Sequence, residues 1–478
     1  MKRNGGPPTA AFALVLGIFV VLMGATWFRH TDVGDAQVYQ VIARQMLRSG
    51  RWLAPEYLGQ PFFDHLPFGL WPIAAAQALD ERAVIPLHAL FSIATVMLVG
   101  VLGHRLMGGW AALASMFVLS TSQYFFFQTS YPTLDPLLLL LTTASVVPLV
   151  TGEGRPTEWL LAWLFVALAV AVKGPFGLLP LGGVLGARVL VDRSLRHLGW
   201  GSLVFGLAAA PVALFLLLRA DWREGYGLGQ LLASATGART DGGGGAWLAL
   251  QFIVERYWPW LPLLALGIAG AAGQLGPEAP QEHQRFVNAC RKMAVACALV
   301  LFGLSVPSRK IWHHTLVVYP LLSVLIGVAV APRLATWFDS AAGQRRLLAG
   351  LAIAALLSVA CVGGGVDRLL MARPCVLATD FSAELQLVHP GDSVPVISLR
   401  PEWDMLSALA FEQDVRPVPT EGWEGVTASV ALATDETWPE APAQWSALKR
   451  ARGWVFAVRP APSGKTSTHT APAVELAR

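Results

Sequence analysis

The stretch AVIPLHALFSIATVMLVGVLG, residues 83–103, contains no acidic residue, lysine or arginine. A helix of roughly 20 apolar residues is long enough to cross the hydrocarbon core of a bilayer. Comparable runs lie near residues 10–28, 83–103, 110–128, 133–150, 159–172, 175–191, 198–218, 247–272, 293–307, 311–331 and 347–366. The pattern predicts an all-α polytopic membrane protein with about eleven transmembrane helices.

The composition also indicates a membrane environment. Of the 478 residues, 54% are hydrophobic and 14% are charged, whereas soluble domains carry about 25% charged residues. The first run follows Lys2 and Arg3, so a secretory signal peptide is an alternative, but its length favours a retained helix. The net charge of +4 comes with no nucleic-acid-binding motif, and the four cysteines have neither zinc-site nor disulfide-framework spacing.

The segment 29–82, between the first two runs, has a different character. Charges, prolines and aromatic residues are mixed along it, and it is too patterned for a simple connector. Within it, residues 36–48 predict an amphipathic helix suited to the membrane surface, and residues 67–79 predict a second interfacial helix. This segment is expected to form a structured first outer loop of a transmembrane catalytic domain, residues 1–370.

The hydropathy falls after this transmembrane part. Strand-like segments at 393–399, 428–434 and Trp454–Val458, with a helix-like segment at 402–411, predict a small soluble α/β domain over residues 371–460. The last residues, 461–478, are rich in proline, serine and threonine, which predicts a disordered tail.

Topology brings polar residues to one side of the membrane. With a cytoplasmic amino terminus, basic loops such as 188–196 lie inside, as the positive-inside rule prefers. The outer face then holds Asp32, Asp35, Asp64, His65, Asp135, Lys173, Arg239, Asp241, Arg309 and Lys310. Carboxylates can orient or deprotonate a hydroxyl or hold a divalent metal, and lysine and arginine can hold a phosphate. This combination suits chemistry on a sugar linked to a membrane phosphate.

Short motifs in this order resemble a known family. The run GDAQVY at 34–39, continuing through 46–52 to Pro55, resembles the first-loop signature of GT-C glycosyltransferases of the protein-mannosyltransferase and aminoarabinose-transferase type. Further similar motifs are FFDHLP at 62–67, TLDP at 133–136, VKGP at 172–175 and SRK at 308–310, followed by Tyr319 and Pro320. The resemblance extends in pieces over residues 10–335.

The resemblance implies the GT-C fold and an inverting glycosyltransferase. Its donor would be a polyprenyl-phosphate sugar, and its acceptor a lipid, a glycan or a protein. The implied site consists of Asp35 as the catalytic residue, Asp135 as a second carboxylate, Lys173, Arg309, Lys310 and His65 as donor-phosphate ligands, and Asp64 with His65 as ligands of a divalent metal.

Two departures from the family pattern affect these expectations. Ala36 stands where an acidic residue commonly follows the loop aspartate, and Val38 replaces an arginine of aminoarabinose transferases. They argue against the aminoarabinose substrate and leave open a catalytically degenerate relative that acts in binding or assembly. A transporter or flippase of lipid-linked sugars is another alternative, but it predicts charges near span centres and internal repeats.

Each candidate residue also has a structural alternative. Asp35 and Asp135 can be residues that begin a helix, and Lys173 can be a headgroup anchor that snorkels to the membrane surface. The high alanine, glycine, leucine and arginine content is typical of a bacterium with a GC-rich genome. We therefore expect an inner-membrane protein whose site faces the periplasm.

Overall fold

A computed structural model describes the chain over 6–24, 35–151, 155–193, 196–219, 247–257, 259–273, 280–306, 312–363, 393–397, 416–420, 423, 426, 430–434, 437–451 and 454–459. The chain forms two compact units. One comprises Met1–Thr31 and Ile42–Ala372, and the other comprises Asp32–Val41 and Arg373–Arg478.

The amino-terminal elements confirm the two helices predicted for the first loop. Helix α1 is Thr9–Gly24, α2 is Asp35–Ser49, strands β1 and β2 are Glu56–Tyr57 and Gln60–Pro61, and α3 is Trp71–Leu79. The antiparallel β1 and β2 form a short hairpin. The predicted helix at 67–79 begins as a 3-10 turn at Pro67–Gly69 and becomes α3 after Leu70, since proline is well accommodated in the first turn of a helix.

The remaining helices account for most of the described chain. They are α4 Val84–Met107, α5 Gly109–Ser120, α6 Gln123–Thr129, α7 Asp135–Thr151, α8 Pro156–Lys173, α9 Leu179–Asp192, α10 Arg196–Leu218, α11 Leu248–Arg256, α12 Leu261–Ala272, α13 Gln281–Ser305, α14 Tyr319–Phe338 and α15 Ala341–Gly363. Short 3-10 turns cover Glu81–Ala83, Gly174–Leu178 and Trp312–Val318.

Several predicted runs differ from these helices in their bounds. The run at 247–272 is broken between α11 and α12, where Pro259 lacks the N–H that a continuous helix needs. The run at 110–128 is broken after α5, where the Thr121 hydroxyl donates a hydrogen bond to the Phe117 carbonyl. The helix predicted at 293–307 begins at Gln281, because its first half is polar and lies outside the apolar pattern.

The protein is an integral multi-pass membrane protein. In the described part of the chain, four helical stretches are long and apolar enough to cross a bilayer, namely Glu81–Met107, Pro156–Asp192, Gln281–Ser305 and His314–Phe338. Shorter apolar helices accompany them. Many leucine side chains on the outer faces of the helices are exposed, as expected for side chains that contact lipid. Examples are Leu90, Leu160, Leu217 and Leu357.

Small residues allow the central helices to approach closely. A side chain at Gly327 of α14 would lie 2.7 Å from the Ala111 carbonyl oxygen of α5, and one at Gly103 of α4 would lie 2.8 Å from the same atom. Lipid tails are as apolar as the helix side chains, so the hydrophobic effect does not drive helices together in a membrane. Helix packing there depends on close contacts of this kind. Helix α14 is consequently buried along most of its length.

Cations of α13 stabilise the ends of neighbouring helices. Arg285 donates to the carbonyl oxygens of Arg105 and Leu106, both at 3.2 Å, at the end of α4. Arg291 donates to those of Ala271 at 2.9 Å and Gly273 at 2.6 Å, at the end of α12. The last carbonyls of a helix lack intrahelical partners and carry partial negative charge, so both arginines act as helix caps.

The substitution Arg291→Ala tests this capping. We expect it to lower the free energy of unfolding by about 2 kcal/mol, because two charge-assisted hydrogen bonds are lost in a half-buried position. The melting temperature of the purified protein in detergent measures the effect. Arg345→Ala, at an exposed position of α15, is the matched control, and equal melting temperatures for the two variants would contradict the capping role.

The carboxy-terminal unit contains a five-stranded mixed sheet. Its strands are β3 Ser393–Ile397, β4 Arg416–Thr420, β5 Val430–Thr434, β6 Ser446–Ala451 and β7 Trp454–Val458. The order is β4-β3-β5-β7-β6, with β3 parallel to β4 and β5, and β7 antiparallel to β5 and β6. Trp423, Trp445 and three alanines form a buried cluster on this sheet.

Three predicted strands are confirmed as β3, β5 and β7, and two were missed. Strand β4 contains Pro417 and Pro419, which weaken a strand pattern but are tolerated at the edge of a sheet, where β4 lies. Strand β6 carries Lys449 and Arg450 and forms the opposite edge. The helix-like segment 402–411 and the tail 461–478 lie outside the described residues.

Candidate functional site

A buried ion pair joins two of the residues singled out in the sequence. The Lys173 Nζ atom lies 2.5 Å from Asp135 Oδ1, and both residues are almost fully enclosed, at 7% and 4% exposure. Asp135 is the first residue of α7, and Lys173 is the last residue of α8. The two charges predicted to lie on the same face are therefore in direct contact.

The local sequence explains why α7 begins and α8 ends here. The Asp135 N–H donates to the Thr133 hydroxyl at 3.4 Å at the start of α7. At the end of α8, Gly174 takes a φ of +62°, a conformation that glycine adopts without steric cost, and Pro175 prevents the α-helix from continuing. An acidic residue at a helix start and a basic one at a helix end also suit the two helix dipoles.

Gln128 belongs to the same cluster and was not predicted from the sequence. Its Nε2 atom donates to Asp135 Oδ2 at 3.1 Å, and its side chain is buried at 9% exposure. The two oxygens of the Asp135 carboxylate therefore face different partners. A glutamine in the seven-residue helix α6 has no motif or periodic signal that would have identified it.

The first loop also reaches this pair. A side chain at Gly69 would lie 3.1 Å from Leu134 Cδ2 and 3.2 Å from the Val172 carbonyl oxygen, so the glycine backbone fits between the neighbours of Asp135 and Lys173. Just before it, Leu66 is buried in a cluster with Val170 of α8 and Val212 of α10. The motifs at 133–136 and 172–175 thus meet at one place, together with Gly69, which lies two residues after the 62–67 motif.

Gly69→Ala tests this close approach. The added methyl group would push the loop away from the Val172 backbone by a few tenths of an ångström, and we expect the free energy of unfolding to fall by about 1–3 kcal/mol, as is usual when a close-packed site is overfilled. The melting temperature of the purified protein in detergent measures the effect. Gly17→Ala, at a helical glycine with open space around it, should not lower the melting temperature, and an unchanged melting temperature of Gly69→Ala would contradict the packing argument.

Asp64 and His65 lie in the irregular part of the same loop. Asp64 is exposed and His65 is half-buried, with its ring 6.4 Å from the ring of Phe62. Among the described residues, no three His, Cys, Asp or Glu side chains are grouped so that they could hold a metal ion. Asp64 and His65 alone supply fewer ligands than a divalent cation takes, so the metal site stays a prediction and no reaction step is derived through it.

Arg309 and Lys310 lie outside the described residues, but the turn that follows them is described. His314, in the 3-10 turn Trp312–Val318, packs its ring 4.1 Å from the ring of Phe176. Phe176 follows Lys173 by three residues, in the 3-10 turn that ends α8. The chain therefore passes the end of α8 shortly after the SRK motif.

A tyrosine cluster lies between α6, α11 and α14. The ring of Tyr319 makes edge-to-face contacts with Tyr257 at 4.8 Å and Tyr124 at 5.8 Å, and the Tyr257 hydroxyl is 2.9 Å from Ser323 Oγ. Tyr124 lies one helical turn before Gln128 on α6 and within electrostatic range of Asp135. All three rings are buried.

Asp35 is the first residue of α2, and its side chain is exposed. A carboxylate at this position interacts favourably with the helix N-terminus whether or not it takes part in chemistry. Its catalytic role therefore stays a prediction that only a functional measurement can test.

Comparison with solved structures decides the fold. The chain is similar to ArnT from Cupriavidus metallidurans bound to undecaprenyl phosphate, with a TM-score of 0.72 and 17% identity over 94% of this chain and 98% of that one. This chain has the GT-C fold. A weaker match to the apo oligosaccharyltransferase of Archaeoglobus fulgidus, with a TM-score of 0.51 and 11% identity, covers 89% of this chain and 70% of that one. At these identities the likeness establishes the GT-C fold alone.

Sequence comparisons agree with the GT-C fold and with the resemblance inferred from the motifs. The model of the family "Dolichyl-phosphate-mannose-protein mannosyltransferase" matches residues 64–218. An undecaprenyl phosphate-alpha-4-amino-4-deoxy-L-arabinose arabinosyl transferase of Pseudomonas fluorescens is 27% identical over 73% of this chain and 63% of its own length. One of Edwardsiella ictaluri is 30% identical over 36% of this chain and 33% of its own. The chain thus spans less than two thirds of the curated relatives that it matches.

Proposed function

We propose that this protein is a membrane glycosyltransferase that moves a sugar from a polyprenyl-phosphate donor to a lipid, glycan or protein acceptor. The observation that carries the proposal is the buried Asp135–Lys173 pair, which joins two family motifs beside Gly69, two residues after a third. The GT-C fold and the names of the sequence relatives, which specify lipid-phosphate sugar transfer, support the same reaction class.

Lys173 is proposed as a cation that binds the donor phosphate. An ammonium group has three N–H donors, and the contact with Asp135 uses one of them. The Asp135 carboxylate holds the Lys173 side chain in place in a nearly dry environment. His65, Arg309 and Lys310 are proposed to complete the phosphate site.

Asp35 is proposed to act on the acceptor. It would orient the acceptor hydroxyl and take its proton as the oxygen attacks the anomeric carbon of the sugar. The bond between that carbon and the phosphate oxygen breaks, and the polyprenyl phosphate leaves as an anion with its electron pair, inverting the configuration. Since the leaving phosphate needs little protonation, positioning and charge stabilisation should supply most of the rate gain.

The cellular setting is part of the proposal. We place the protein in a bacterial inner membrane with its reaction on the periplasmic face, as the loop charges and the amino-acid usage suggest. Residues 371–460 would then form a small periplasmic domain. Because of Ala36 and Val38 we do not extend the aminoarabinose donor of the relatives to this chain.

Metabolic labelling tests the proposal. Cells grown on ¹⁴C-glucose are compared with and without the protein, and label is followed from mild-acid-labile lipid phosphates into lipid, glycan and protein fractions. A labelled product that requires the protein is expected, and its fraction identifies the acceptor. Equal labelling with and without the protein would favour the degenerate-relative or flippase alternatives.

A further inference from the structure

Helix α6 contributes one uncharged donor to the ion pair. Gln128 Nε2 lies 3.1 Å from Asp135 Oδ2, whereas Lys173 Nζ is 2.5 Å from Asp135 Oδ1. The amide and the ammonium therefore bind different oxygens of the same carboxylate. Together they restrict rotation of the carboxylate plane. All three side chains are at most 9% exposed, so water has little access to replace either donor.

We propose that Gln128 is a positioning residue for transfer: its amide N–H locks the Asp135 carboxylate so that the Lys173 ammonium stays aimed at the donor phosphate. The inference rests on the proposed function and adds to it a residue that does not touch the substrate. Without the Gln128 hydrogen bond, the Asp135 carboxylate could rotate and move the Lys173 ammonium with it. Small displacements of such groups lower the rate of catalysis.

The proposed role requires an uncharged hydrogen-bond donor at position 128. An amide donates a hydrogen bond without adding charge, whereas an ionised glutamate of the same shape only accepts. Facing the Asp135 carboxylate, such a glutamate would repel it and compete for Lys173. Protonation would restore an O–H donor and remove the repulsion, and burial beside a carboxylate favours the protonated form.

Other charged and titratable groups lie on the elements near the ion pair and enter any pH dependence. They are Lys173 on α8, Tyr124 on α6, Tyr319 on α14, Arg256 on α11, His314 in the turn before α14, and His88 on α4, which bonds to the backbone at Val84 and Thr133. All of them are present in wild type and in any Gln128 variant. Dividing each variant rate by the wild-type rate at the same pH cancels their common contribution.

The test is a pH series with Gln128→Glu in detergent-solubilised membranes that carry ¹⁴C-labelled lipid phosphates. We expect the variant to transfer label about 100-fold more slowly than wild type near pH 8, and to regain about tenfold relative to wild type near pH 5.5. Gln251→Glu is the matched control, since Gln251 also donates to a carboxylate, that of Glu255 at 2.7 Å, but on an exposed surface. Its rate should follow the wild-type rate at every pH.

The outcomes separate the inference from the proposed function. If wild type transfers label and Gln128→Glu keeps a constant ratio to it across the pH range, the positioning role is wrong. Gln128→Leu supplies a second test if the glutamate variant does not accumulate. The leucine variant should transfer label slowly at every pH, and a wild-type rate would overturn the positioning role. If wild type itself transfers no label, the proposed function fails and the inference falls with it.

Discussion

Replacement of Lys173 by methionine should lower the free energy of unfolding by about 3–5 kcal/mol and abolish transfer. The substitution leaves the Asp135 carboxylate in a position with 4% exposure and without its counter-charge. Breaking one side of a buried pair costs more than the pair contributes, because the remaining charge stays desolvated. Melting temperatures of the purified protein in detergent, together with rates of label transfer, measure both effects.

The double variant Asp135→Asn with Lys173→Met separates stability from function. The asparagine keeps an oxygen for the Gln128 amide and carries no charge, so most of the lost stability should return. Transfer should stay absent, because the proposed phosphate cation is gone. A stable double variant with wild-type transfer would remove Lys173 from the phosphate site.

Asp35→Asn should fold normally and lose transfer by a factor of about 100 or more. Asparagine keeps the shape and the helix-starting ability of aspartate but cannot accept the acceptor proton. Initial rates of labelled product formation measure the loss, and the amount of protein in the membrane fraction shows that the variant inserts.

Asp80→Asn is the matched control for this variant. Asp80 Oδ1 accepts the Arg82 N–H at 2.7 Å, so Asp80 is a helix-capping residue of the same first loop. Asparagine caps equally well, and full activity is expected. If Asp35→Asn were as active as Asp80→Asn, Asp35 would be a helix-starting residue only.

Much of the fold follows from local signals along the chain. Apolar runs located most of the helices, and amphipathic spacing identified α2. The break at Pro259 and the early start of α13 at Gln281 were missed, because hydropathy alone registers neither a helix interruption nor the polar half of a helix. Strand β4 was missed because proline normally argues against a strand. Its prolines are tolerated because β4 lies at a sheet edge, a position that the sequence does not reveal.

The site could be predicted only in part for a related reason. Alternating topology correctly brought Asp135 and Lys173 to one face, since membrane spans reverse direction each time they cross. It could not predict that they touch, because a contact depends on how α7 and α8 pack. Gln128 lies seven residues before its partner in a separate helix and had no signal at all. A close approach such as that of Gly69 likewise depends on tertiary packing.

The proposed transfer reaction is tested most directly by measuring both products of one turnover. Purified protein in liposomes made from labelled bacterial lipid extract is incubated with the lipid, glycan or protein fraction that receives label in cells. Free polyprenyl phosphate and transferred sugar are then quantified by mass spectrometry. Both should appear in equal amounts, and Asp35→Asn should form neither. Movement of the lipid-linked sugar between leaflets with no release of polyprenyl phosphate would contradict the proposed reaction.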